Sequence, residues 1–146
     1  MKNLEYPIVI KGREIGGIKP QICVPLVANT EAELIEEVQE LVAHKADLVE
    51  WRVDYFDNVE DTAKVIATLQ KIHHLLLDYP IIFTCRRKEE GGYREINESK
   101  IMDLIRAVIS TQQVDLVDIE LINGSHNIKE ILRETRNNQV KLIISN

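Results

Sequence analysis

No apolar run in this chain of 146 residues approaches the roughly 20 needed to span a bilayer, so no membrane partner is expected of it. After Lys2 the amino terminus holds only a four-residue apolar stretch, Pro7 to Ile10, which is too short for a secretory leader. Positive charge is in short supply as well. The formal net charge is −6 and no stripe of arginine or lysine occurs, which argues against nucleic acid as a partner. Only two cysteines are present, Cys23 and Cys85, each inside an apolar run and neither in a CxxC pair. They are expected to be reduced, buried thiols of a cytoplasmic protein. Metal-ligand spacing is missing, and GREIGG lacks the strand-to-helix context of a dinucleotide fingerprint, so neither metal nor cofactor is expected.

Low-complexity segments and Pro/Gly/Ser-rich linkers are also absent, and residues 1–146 are expected to form one domain. What the chain does contain is a recurring unit. Strand-length apolar runs at 21–27, 46–53, 80–85, 115–121 and 140–145 alternate with amphipathic stretches at 30–45, 61–76, 96–111 and 127–138. Thr30 with Glu33 spells a capping box, Asp61 is placed to cap the second helix, and Asn127 with Glu130 the fourth. Ahead of these units, residues 6–17 predict a small hairpin turning at Lys11 and Gly12. Alternating strands and helices predict an α/β fold on a parallel sheet, either doubly wound or part of a (β/α)8 barrel.

Side-chain alternation separates the two. Val49, Trp51 and Val53 share one face of their strand, while Leu48, Glu50, Arg52 and Asp54 share the other. The next strand opposes Ile81, Phe83 and Cys85 to Ile82, Thr84 and Arg86, and the fourth opposes Val117, Ile119 and Leu121 to Leu116, Asp118 and Glu120. A doubly wound sheet is covered on both faces and its strands are almost continuously apolar. Here one face gathers charge towards the strand C-termini, as at the mouth of a barrel. Both signs are present, so the charges can neutralise one another or a ligand. Two converging arginine forks, Arg52 and Arg86, point to a small carboxylate. Asp54, past the strand end, is expected to make a loop or helix-entry contact.

The segment TCRRKEEGGYRE (84–95) carries Arg86 inward by alternation, whereas Arg87, Lys88 and Glu89 read as a solvated loop. Glu90 precedes two glycines that permit a sharp reversal. His44, His73 and His74 fall late in helices, where histidine complements the dipole, and His126 falls in a helix-initiating turn.

The blocks EWRVDYF (50–56), FTCRRKEEGG (83–92) and VDLVDIEL (114–121), with their spacing and the opening hairpin, resemble type I 3-dehydroquinate dehydratase over essentially the whole chain. The resemblance implies a dimeric (β/α)8 barrel that converts 3-dehydroquinate to 3-dehydroshikimate in the shikimate pathway through a lysine imine, with a histidine moving the proton. It implies Glu50, Trp51, Arg52 and Arg86 as the substrate-binding set, although alternation turns Trp51 outward. It implies Glu90 as the acid that orients the histidine.

Two departures from that family are visible. Pro25 stands where many relatives carry a serine near the substrate. The family's histidine and imine-forming lysine follow a segment like KLIISN (141–146) and are expected beyond Asn146, so this chain is expected to be the amino-terminal part of the enzyme and inactive alone. A non-catalytic α/β module that binds a carboxylate is the alternative.

Overall fold

The computed structural model describes residues 7–146. Two short strands come first, β1 (Ile8–Ile10) and β2 (Arg13–Ile15), paired antiparallel as the sequence predicts. Lys11 and Gly12 join them with φ of 48° and 76°, left-handed values that match the twist of a tight hairpin. Tyr6, which opens the expected hairpin segment, lies outside the described residues.

Five strands and four helices then alternate: β3 (Cys23–Leu26), α1 (Glu31–His44), β4 (Leu48–Arg52), α2 (Thr62–Leu75), β5 (Ile81–Thr84), α3 (Glu98–Thr111), β6 (Leu116–Glu120), α4 (Gly124–Asn137) and β7 (Lys141–Ser145). The sheet is parallel and its strand order is the chain order, β3-β4-β5-β6-β7. Crossovers between parallel strands are right-handed, so an order that never reverses puts every helix on one face. A doubly wound sheet would reverse. The arrangement is an arc of a β/α barrel.

The helices begin where the sequence supplies caps. Thr30 accepts the Glu33 N–H and the Glu33 carboxylate accepts the Thr30 N–H, both at 3.3 Å. Asp61 accepts the Lys64 N–H at 3.1 Å and Asn97 the Ser99 N–H at 2.9 Å. The fourth helix differs from expectation. It starts at Gly124 rather than Asn127, because the turn that ends β6 runs directly into it. Asn127 donates back to the Asn123 carbonyl, and Glu130 pairs with Arg106 of α3 instead of capping. The late-helix histidines meet carbonyls: His44 meets Glu40, His74 meets Gln70 and His73 meets Gln113.

The two faces of the sheet bury different things. On the helix side, Val49, Trp51, Phe83, Val117 and Ile119 pack under Leu34, Val38, Leu69, Ile72, Leu104 and Ile105 in one continuous core. On the other side, Leu48, Ile82 and Leu116 meet Ile10 and Ile15 of the hairpin and Ile143 of β7. Lys11 donates to the Tyr79 carbonyl at 2.8 Å and pairs with Asp115 at 3.2 Å, while Arg13 donates to the Asp78 carbonyl. Those three partners precede β5 and β6, so the hairpin floors the N-terminal end of the lumen. On β4, β5 and β6 the polar residues of this face follow in the C-terminal half.

The β3 edge carries one departure from the sequence expectation of buried thiols. Cys23 is exposed on β3, because among the described residues that strand has a neighbour on one side only; Cys85 is buried. The Ile22 carbonyl accepts from Leu48 N–H at 3.2 Å, so even-numbered residues turn their backbone groups to β4 and Pro25 turns to the open edge. A residue without an N–H costs no ladder bond there. Among the described residues no helix is long and apolar enough to cross a membrane.

Between α1 and α2, the Glu31 carboxylate accepts from Thr68 at 2.8 Å and pairs with Lys71. The Lys71 contact, helped by Thr68, holds its pKa below the ordinary carboxylate value. A lowered folded-state pKa gives stability that is present above the unfolded value and lost as pH falls through the folded one. Lys71→Met should therefore flatten the acid limb of a stability-versus-pH curve below about pH 5, with a small effect because the pair is near the surface. Urea titrations across that range would show it, and an unaltered acid limb would refute the assignment.

Candidate active site

The polar face forms where four strands end. Residues in register share a face, so Glu50, Thr84, Asp118 and Glu120 converge, and Ser145 joins them opposite Glu120. Thr84 donates its hydroxyl to Glu50 at 2.8 Å. Just past β5, Arg86 Nη1 reaches Asp118 at 2.9 Å, Glu120 at 3.2 Å and the Ser145 hydroxyl oxygen at 2.8 Å. The Ser145 hydroxyl donates in turn to Asp118 at 2.7 Å. Burial alone would lower the Arg86 pKa, but Asp118, Glu120 and Glu50 outweigh it and raise it above the usual arginine value. The guanidinium is permanently charged, and its Nε and Nη2 have no partner among the described residues.

Arg52 is held by Asp54. Its Nε and Nη2 donate to the two Asp54 oxygens at 2.9 and 2.8 Å, and this bidentate bond raises the Arg52 pKa. Asp54 is completely buried in the short turn Val53–Tyr55 that ends β4. The same carboxylate accepts backbone N–H groups from Arg86 at 3.3 Å and Tyr93 at 2.9 Å. The sequence predicts a loop or helix-entry contact for Asp54; the structure makes it the joint between the β4 turn and the β5 loop.

That loop wraps tightly. Arg87, expected in solvent, is half-buried instead: its N–H donates to Glu120 at 3.0 Å and its Nη1 to Asn123 at 3.1 Å. Both oxygens of buried Glu120 need donors, and the Arg87 amide and the Asn123 amide, at 3.2 Å, supply them. Lys88 and Glu89 are exposed as expected. Glu90 ends the short turn Lys88–Glu90, half-buried, and its carboxylate has no bonded partner among the described residues. Tyr93 stacks on Tyr55 with centroids 4.5 Å apart, and Arg94 donates to the Asp54 and Tyr55 carbonyls at 2.9 and 2.8 Å.

Trp51 is a correction. It is fully buried on the helix face, edge-on to Phe56 at 5.8 Å and Phe83 at 5.7 Å, so its ring cannot meet a ligand in the lumen. Strand alternation requires this, because neighbours Glu50 and Arg52 take the other face. His126 points to solvent on α4, 3.5 Å from Glu130, and is not at the mouth. Cys85 lies beneath the arginines, its thiol pKa pushed far up by burial. Among the described residues no three metal-ligating side chains are grouped to hold a metal ion. Ser145, Asn123 and Arg94 escaped the sequence reading; period-two spacing from Lys141 through Ile143 could have turned Ser145 inward.

Gly92 makes the wrapping possible. A Cβ there would lie 2.2 Å from the Arg86 carbonyl oxygen and 2.7 Å from that of Arg87, whereas one at Gly91 would meet nothing but would strain a φ of 86°. Gly91→Ala should cost about 1 kcal/mol. Gly92→Ala should cost more, roughly 2 kcal/mol or above, and shift the amide resonances of residues 84–95. Thermal melts and amide spectra of both variants test this; an undisturbed loop in Gly92→Ala would contradict the packing.

The model of the type I 3-dehydroquinase family matches residues 22–146. A 3-dehydroquinate dehydratase from Clostridium botulinum is 43% identical over 139 residues, covering 95% of this chain and 55% of the relative. Another from Bacillus licheniformis is 39% identical over 146 residues, covering 100% and 56%. The crystal structure of the Geobacillus kaustophilus 3-dehydroquinate dehydratase superposes with a TM-score of 0.94 at 33% identity, covering 100% of this chain and 57% of that one. A Clostridium difficile type I enzyme with covalently modified comenic acid gives 0.94 at 35% identity, covering 98% and 56%. The chain spans about half the length of the relatives it matches. With its unreversed β/α arc and charged strand ends, it belongs to the type I 3-dehydroquinase family.

Proposed function

We propose that this chain carries the substrate-binding part of a type I 3-dehydroquinate dehydratase, a hydro-lyase that converts 3-dehydroquinate to 3-dehydroshikimate. The observation that carries the reading is the pairing of two arginines at the strand ends, each bound on one edge by protein carboxylates and open on the other. Arg86 keeps Nε and Nη2 for the ring carboxylate, and Arg52 keeps Nη1. Glu50 uses one oxygen for Thr84 and has the second for a ring hydroxyl. Such an array holds an anionic, hydroxylated ring by direction as well as by charge.

In this reading the reaction runs through an imine between a lysine and the substrate ketone. The protonated imine accepts the electron pair released when a histidine removes the adjacent proton, and hydroxide then departs. Glu90 would orient that histidine. Neither reacting group is supplied by the strand ends described above. Lys141 begins β7 at the far end of the sheet, Lys88 is exposed, and Lys11 is paired with Asp115 under the floor. That observation favours, as a second reading, a module that binds a carboxylate without turning it over. The full enzyme in this proposal is a cytoplasmic homodimer acting on a small molecule.

Titration calorimetry with 3-dehydroquinate should show binding to the 146-residue chain, weakened about tenfold or more in Arg86→Ala. Absence of binding by the unaltered chain would sink the proposal. Borohydride reduction in the presence of 3-dehydroquinate should leave the mass unchanged. A covalent adduct would show instead that a lysine of this chain forms the imine.

A further inference from the structure

We propose that Asp54 is the positioning residue of the anion site: one buried carboxylate sets the plane of the Arg52 guanidinium and the placement of Arg86, so that both donors meet the same ligand. The proposal rests on the reading of these arginines as ligand-binding groups.

Asp54 is fully buried, so it is placed to act through its neighbours rather than on a ligand. It receives four hydrogen bonds from two separate segments. Two come from the Nε and Nη2 of Arg52, at 2.9 and 2.8 Å. Two parallel bonds to one carboxylate fix the plane of a guanidinium, which a single bond would leave free to rotate. The other two come from the β5 loop, the N–H of Arg86 at 3.3 Å and of Tyr93 at 2.9 Å. The backbone of Arg86 is thereby tied to the group that holds Arg52. A side chain as long and rotamer-rich as arginine binds an anion well only when its fork is held in advance.

A second feature ties the same two segments together. The Arg52 guanidinium lies over the Tyr55 ring at 5.2 Å, Tyr55 stacks on Tyr93 at 4.5 Å, and Arg94 lies over the Tyr93 ring at 5.1 Å. Each ring of the stacked pair thus has an arginine within cation–π range. Arg94 also binds the backbone carbonyls of Asp54 and Tyr55 at 2.9 and 2.8 Å, so the turn carrying Asp54 is held from the loop side too. Stack and carboxylate both constrain the β4 turn against the β5 loop. In the sequence the only trace is an acid two residues after an arginine, which reads equally well as an ordinary surface pair.

Asp54→Asn tests the proposal, since it preserves shape while removing the charge and one acceptor. Two readouts apply: the affinity of the chain for 3-dehydroquinate by calorimetry, and the hydrogen exchange of the Arg52 Nε–H by NMR. In the unaltered chain that Nε–H should be protected from solvent. Asp54→Asn should lose the protection and bind about tenfold or more weakly, while Asp103→Asn on α3 should change neither. A purely structural role would lower the melting temperature without moving Nε–H exchange or affinity in the folded state. Affinity within about twofold of the unaltered chain, or an unchanged Nε–H, overturns the proposal. Should the unaltered chain not bind 3-dehydroquinate, the ligand reading fails, and Nε–H exchange alone decides the positioning role. Should Asp54→Asn not fold, Asp54→Glu retains the charge but moves the carboxylate by one methylene. Loss of affinity in that folded variant supports the proposal, and unchanged affinity overturns it.

Discussion

A charge withdrawn from water must be met by opposite charge or by directed hydrogen bonds, or the fold will not keep it. This constraint organises the polar face of the sheet. Asp54, Asp118 and Glu120 are buried acids, and each is answered: Asp54 by Arg52 and two backbone amides, Asp118 by Arg86 and Ser145, Glu120 by Arg86, Arg87 and Asn123. The loop after β5 follows the course that brings its amides to those carboxylates. Replacing the acids one at a time would therefore leave buried donors unanswered as well as removing charge.

The division of labour along the strands rests on the same physics. At the N-terminal end the lumen is closed by hydrocarbon, with Ile10 and Ile15 of the hairpin against Leu48, Ile82 and Leu116. Two residues further along β4, β5 and β6, the same face carries Glu50, Thr84 and Asp118. An apolar floor under a polar layer lowers the local dielectric, which strengthens the ion pairs above it. Helices on the opposite face need only an apolar surface, to which the fully buried Trp51 and Phe83 contribute.

Much of this was legible in the sequence because it depends on periodicity. The alternation in residues 48–53 and 116–120 assigned both faces correctly, and the cap at Thr30 marked a helix start to the residue; Leu121, expected on the helix face, lies instead in the turn that ends β6 and is exposed. What escaped depends on three-dimensional proximity. Asp54 lies one turn past the strand, where alternation no longer applies, and its partners Arg86 and Tyr93 are 32 and 39 residues away. Arg87 sits in a charge run that looks solvated until Glu120 and Asn123 are seen beside it. Asn127 looked like a cap because an asparagine with a glutamate three positions on fits the pattern; the turn at Leu121–Asn123 starts the helix earlier. Trp51 shows the opposite failure, in which a resemblance between motifs outweighed a face that the alternation had already assigned.

Pro25 has a consequence for assembly. Its imino nitrogen faces outward from β3, so the edge of that strand left unpaired among the described residues offers an interrupted row of donors. Any strand laid along it must reach that rung with an acceptor that finds nothing to accept from, and a slide of two residues carries the mismatch to a different rung. The gap is thus a notch that can distinguish one alignment of an incoming strand from another. It also discourages indiscriminate edge-to-edge growth, by which an uncovered sheet would otherwise recruit copies of itself.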